Sequence, residues 1–113
     1  MNVEVDSGVM DIRIALTTTA NREEADRIAL ALVETRLAAC VNIVEGVHSV
    51  YRWKERVEQA AEVLLLIKTT EDKLSSVEQT LKTLHSYELP ELVVLPVVGG
   101  SLPYLQWIQT SVR

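Results

Sequence analysis

Apolar and polar positions alternate with a period of two from Ile12 to Leu16, where Arg13 and Ala15 separate Ile12, Ile14 and Leu16. That spacing predicts a half-buried strand, because successive strand side chains point to opposite faces. The period then lengthens. Ala25, Ile28, Ala29, Leu32 and Val33 recur at helical spacing behind Asn21 and Glu24, a pair suited to an N-cap and its reciprocal acidic partner. A helix is expected from about Arg22 to about Arg36.

A second strand starts near Ala39 and carries Val41 and Ile43. Glu45 and Gly46 interrupt it, Gly46 suggesting a bend or bulge, and Ser49, Tyr51 and Trp53 then share one face. A tight reversal at Lys54 and Glu55 leads into a third strand from about Val57 to Thr69, with Val57, Ala61, Val63, Leu65 and Ile67 lining one side. Thr70, followed by Glu71 and Asp72, is positioned to cap a second helix. Leu74, Val77, Leu81 and Leu84 form its buried stripe, and it ends near His85. Leu92 to Val98 is a β-favouring run whose Pro96 belongs at a sheet edge, and Ser101 precedes a short helix carrying Tyr104, Leu105, Trp107 and Ile108.

The order βαββαβ plus a terminal helix is that of an α+β, ferredoxin-like antiparallel sheet. In such a fold helices cover one sheet face. The third strand is apolar on both, since Leu64 and Leu66 point away from Val63, Leu65 and Ile67, and Leu92 to Val98 is two-sided as well. Leaving about six large side chains in water forgoes roughly 1.5–3 kcal/mol each, in sum comparable to a domain's net stability. A partner surface answers this; the alternative is the terminal helix folding over the second face.

Composition narrows the class. At 113 residues with 48% hydrophobic and 24% charged positions, the chain fits one globular domain, residues 11–113, behind an N-terminal arm at residues 1–10. The net charge of -5 and the absence of any extended Lys/Arg stripe argue against nucleic acid. Val63 to Ile67 is far short of the roughly 20 residues a membrane helix needs. The opening MNVEVDSG is acidic where a secretory signal is basic, so a cytoplasmic protein without a membrane partner is expected. No Gly-rich phosphate loop, H-E-x-x-H or nucleophile elbow occurs, and the expectation is a non-enzymatic protein. Cys40 is the one cysteine and begins an apolar strand, where a small core residue is expected. His48, without a second ligand at metal-site spacing, is read as a surface or interface residue.

The segments LAACVNI, SVYRW, VEQAAEVLLLIKTT, H-x-YELPE and YLQWI, spread over Asp11 to Val112, together resemble the CutA divalent-cation-tolerance family. The resemblance implies a homotrimer similar to the PII nitrogen regulators, with sheets packed about a three-fold axis and long hairpins reaching neighbouring copies. Two departures stand out. Glu55 occupies a place where the family commonly has Gly, so a turn type that tolerates a side chain without positive φ is expected, and Ser86 replaces a frequent Pro.

The resemblance also implies a role in cation tolerance, through copper or another divalent cation or through an unidentified protein partner, with no cofactor required. Its histidine corresponds to His85, which with Glu88 and Glu91 forms a candidate weak metal site. Leu84 and Thr17 stand where some members carry a second histidine and a cysteine. The bland reading has His85 capping the second helix. A second candidate, a cleft between subunits for a small anionic ligand, comprises Tyr51, Trp53, Lys68, Glu91, Tyr104 and Trp107, with Lys68 and Glu91 as an ion pair; the competing reading is a structural interface or scaffold.

Overall fold

The computed structural model describes residues 11–112; the expected arm at residues 1–10 lies outside them. The elements are β1 (Ile12–Thr19), α1 (Arg22–Glu34), β2 (Cys40–Trp53), β3 (Arg56–Thr70), a 3-10 turn (Glu71–Lys73), α2 (Leu74–Leu84), β4 (Val93–Pro96) and α3 (Leu102–Ser111). The strands form one antiparallel sheet in the order β2, β3, β1, β4. This is the α+β ferredoxin-like arrangement the periodicity predicts, with β4 shorter than the apolar run that announces it.

Local chemistry sets the helix ends. Asn21 Oδ1 accepts the Glu24 N–H at 2.9 Å, as an N-cap should. At the other end Arg36 takes a left-handed φ of 62°. Arg36 N–H reaches the Val33 carbonyl and Leu37 N–H the Leu32 carbonyl, the two bonds of a Schellman motif, so α1 stops at Glu34 rather than Arg36. The expected Thr70 cap is different: its side chain makes no capping bond to the helix backbone, its hydroxyl donates to Asp72 Oδ1, and a 3-10 turn intervenes before α2. Ser101 likewise caps α3 through backbone alone, accepting the Leu105 N–H at 3.0 Å.

The main core lies between one sheet face and α1 and α2. Ile28 and Leu32 of α1 and Val77 and Leu81 of α2 close over Ala15, Val63, Leu65 and Ile67. Thr17 is fully buried on the same face, and its hydroxyl finds no hydrogen-bond partner among the described residues. In β1 the alternation holds: Ile12, Ile14 and Leu16 share a face with Leu64 and Leu66, opposite the helices, because Ala15, Thr17 and Thr19 turn toward them. Val57 and Ala61, expected on one side with Val63, Leu65 and Ile67, are exposed, since β1 accompanies β3 only from Val63 to Thr70.

The terminal helix does fold onto the second face, but only at one end. Leu105 and Ile108 of α3 bury Ile12, with Val97 and Leu102 packed alongside. Farther along that face Val44, Val93 and Leu95 remain 43%, 49% and 45% exposed.

Two backbone features shape the β2–β3 hairpin. The register slips between Val44 and Val47, and Gly46 at φ 81° carries the bulge; a Cβ there would meet nothing within 4 Å, so the glycine serves conformation and not space. Trp53 pairs with Arg56 across a two-residue loop in which Lys54 and Glu55 have φ of 50° and 70°. Both central residues at positive φ are the mark of a type I′ turn, contrary to the expectation that Glu55 signals a turn free of that demand. The twist of the flanking strands outweighs the local preference of the side chain. Glu55→Gly is therefore expected to stabilise the chain by about 0.5–1 kcal/mol, read as an upward shift of the thermal midpoint; an unchanged or lowered midpoint counts against stored strain.

Candidate functional site

A buried polar cluster joins the end of α2 to the sheet. His85 is the C-cap of α2 by its backbone, but its fully buried side chain turns inward, away from the helix carbonyls. Its Nε2–H donates to the Thr18 carbonyl at 2.7 Å, and its Nδ1 accepts the Tyr87 N–H at 3.1 Å. These partners define a neutral imidazole with its proton on Nε2. Neither nitrogen keeps a lone pair for a metal ion, so this geometry lends no support to His85 as a ligand.

Two carboxylates complete the cluster. Glu24, 4% exposed, accepts Ser86 N–H at 2.8 Å and Ala20 N–H at 3.4 Å, so the expected capping partner instead ties α1 to the loop after α2. Glu62, 9% exposed, accepts the Tyr87 hydroxyl at 2.7 Å. Burial opposes ionisation of Glu24, yet hydrogen bonds from Ser86 and Ala20 prevail and hold its carboxyl below the ordinary range. Glu62 is held down in the same way, against burial, by bonds from Ser49, Tyr87 and Thr18. Burial and the Glu62 bond push the Tyr87 hydroxyl strongly upward, so it stays a donor. Sequence reading passes over Glu62 and Tyr87, although one signal exists: Glu62 is a lone acid between Ala61 and Val63 in an otherwise apolar run.

Glu88 and Glu91, the other members of the candidate metal set, are exposed, and Glu88 lies 3.9 Å from Lys54. Among the described residues no group of three or more His, Cys, Asp or Glu side chains could hold a metal ion. Cys40 is not a core residue: it is half-buried on the open face, in register with Lys68, with Sγ 3.9 Å from Asn42 Oδ1. His48 is on the surface, hydrogen-bonded to Gln59 at 2.9 Å.

The second candidate set divides into two groups. Lys68 Nζ donates to the Tyr104 hydroxyl at 3.0 Å and lies 5.2 Å from the Tyr104 ring centre, while the Tyr104 and Trp107 rings stand 5.4 Å apart. The bond to Tyr104 raises the Lys68 pKa and keeps the ammonium charged. Lys68 is thus paired with Tyr104 and not with Glu91. Tyr51 and Trp53 sit opposite Glu58 and Arg56 near the hairpin tip. Lys68 lies ten residues farther along β3 than Glu58, roughly 33 Å at strand spacing. One chain does not bring these two groups together.

Residues 13–111 match the family model described as CutA1 divalent ion tolerance protein. A rice relative named "Protein CutA 1, chloroplastic" is 43% identical over 100 residues, 88% of this chain and 56% of its own; the chain spans less than two thirds of that protein. The "Divalent-cation tolerance protein CutA" of Thermus thermophilus is 47% identical over 98 residues, 87% of this chain and 95% of the relative. A solved structure from Thermus thermophilus, titled as a divalent cation tolerance protein, superposes with a TM-score of 0.89 at 44% identity, covering 90% of this chain and 99% of that one. A structure titled as the periplasmic divalent cation tolerance protein CutA of Archaeoglobus fulgidus gives 0.87 at 35% identity, covering 90% and 99%.

The two buried carboxylates fix the sign of the acid response. Their folded pKa values lie below the unfolded value near 4.5, so their stabilisation is complete well above that pH and is lost as pH falls through the folded values. Unfolding free energy should hold level near neutrality and drop below about pH 4.5. Glu24→Gln should lower stability at pH 7 by about 1.5–3 kcal/mol and flatten the acid limb; a variant whose pH profile parallels the parent's would show that Glu24 is not the titrating support.

Proposed function

The chain belongs to the CutA1 divalent ion tolerance family, and on that premise we propose that it acts without catalysis, as a homotrimer whose assembled surface serves tolerance of divalent cations. The observation that carries this reading is the uncovered sheet face. Ile14, Leu16, Leu64 and Leu66 are half-buried there, and Val44, Val93 and Leu95 are exposed around them. Contiguous apolar surface of this kind marks an interaction site, and a second copy of the same face is the simplest cover. The number three rests on the family resemblance.

In this reading cation tolerance works through the assembly or through a protein partner, and any direct binding of copper is weak and carried by exposed carboxylates such as Glu88 and Glu91. The engaged ring nitrogens of His85 favour that assignment. The cytoplasm is the compartment proposed, and a single cysteine agrees with it, while the rice and Archaeoglobus relatives carry chloroplastic and periplasmic names.

A second reading, sensing of a small anion between subunits, is favoured by one fact. Lys68 is bonded to a neutral hydroxyl and forms no ion pair among the described residues. A neighbour's hairpin would bring Tyr51 and Trp53 to it.

Light scattering should give a mass close to three chains, and Leu66→Asp should lower it or cause aggregation; a monodisperse single chain would remove the basis of the assembly. Copper titration followed by Trp fluorescence should give the same isotherm for the parent and for His85→Ala, although that variant loses about 2 kcal/mol of stability. A saturable signal that vanishes with the imidazole would reinstate His85 as a ligand.

A further inference from the structure

Between α3 and the open face of the sheet lies a cleft of about 190 Å³. Its walls are aliphatic, from Ile12, Ile14, Val97 and Leu105, and among the described residues no Asp, Glu, His or Cys lines it. Polar chemistry enters at Lys68, Ser101 and Tyr104. The volume is about six waters' share of liquid, well below the range typical of drug-sized ligands.

The Lys68–Tyr104 pair has unused donor capacity. An ammonium has three donors, of which the bond to Tyr104 takes one. The Tyr104 oxygen accepts that bond, so its own proton is free to donate elsewhere. Two adjacent donors, one of them cationic, suit the two oxygens of a carboxylate. Among the described residues a metal ion or an amine finds no counter-charge in this cleft. A polyphosphate would bring several charges to a single ammonium, and a fully polar ligand would gain nothing from the aliphatic wall.

We propose that this cleft binds a small aliphatic monocarboxylate, with its chain against Ile12, Ile14, Val97 and Leu105 and its carboxylate held by Lys68 Nζ and the Tyr104 hydroxyl. The inference deepens the anion-sensing reading, on which it rests for the role of Lys68, and names the ligand class. It differs in that all the contacts named come from one chain.

The test is titration of the intact protein with sodium acetate, butyrate and hexanoate, followed by calorimetry or ligand-observed NMR. Hexylamine, 1-hexanol, inorganic phosphate and ATP serve as comparators. Affinity should rise about three- to fourfold per methylene until the cleft is filled, which is the burial of one CH₂ expressed as a ratio. Hexylamine and hexanol should bind at least about tenfold more weakly than hexanoate. Lys68→Met should abolish hexanoate binding while keeping the parent's mass, and Tyr104→Phe should weaken it about threefold to tenfold.

A flat dependence on chain length, or equal binding of hexylamine, overturns the proposal without recourse to any variant. Should phosphate or ATP bind through Lys68 while hexanoate does not, the monocarboxylate assignment falls and anion sensing stands. Should none of the anions bind, both fall.

Discussion

Strand β3 is bonded along both edges and is apolar on both faces where β1 accompanies it, and the rest of the structure is arranged around that fact. Its inner side chains, Val63, Leu65 and Ile67, are buried by α1 and α2. Its outer side chains, Leu64 and Leu66, are only half covered, because α3 reaches the Ile12 end of the face and no farther. A sheet of this kind cannot be solvated on its outer side without forgoing burial on the scale of the domain's whole stability. The demand for a cover therefore comes from the same element that fills the core.

Much of this was legible in the sequence, and the exceptions have physical causes. Helical spacing located α1 and α2 because their apolar stripes face a single surface, and alternation located β2 and β3. Alternation also identified Ile12, Ile14 and Leu16 as a set but left their side of the sheet open, since periodicity says which residues share a face and not which face the helices cover. Small residues decided that question: Ala15 and Thr17 leave room for α1, and bulkier neighbours were free to point outward. The turn at Lys54 and Glu55 was misjudged because hairpin twist, a property of two strands together, is invisible in the pair of residues that must obey it.

The candidate site was legible by residue type and not by geometry. His85 attracted attention as a ligand, and its chemistry is in use, but it holds a loop to the end of β1. Its surroundings are built from three separate stretches: Glu24 from α1, Glu62 from β3 and Tyr87 from the loop before β4. Single-sequence reasoning sees such a cluster only if one member is out of place, as Glu62 is among apolar neighbours. Lys68 and Tyr104, 36 positions apart, were grouped in advance through family resemblance, and their direct bond gives that grouping a physical content.

The bulge at Gly46 divides the long hairpin into parts with different support. Inward of it, β3 is flanked by β1 and backed by two helices; outward of it, from Val47 and Glu62 to the turn, the ribbon pairs only with itself and is touched by the loop before β4 through Tyr87 on Glu62 and Glu88 near Lys54. An isolated two-stranded ribbon is marginal in water. Amide hydrogens on the two sides of one glycine should therefore exchange through different openings, the inner ones with global unfolding and the outer ones through local fraying. Protection of the outer amides would then register contact with another molecule, which makes this arm a built-in reporter of association that needs no label.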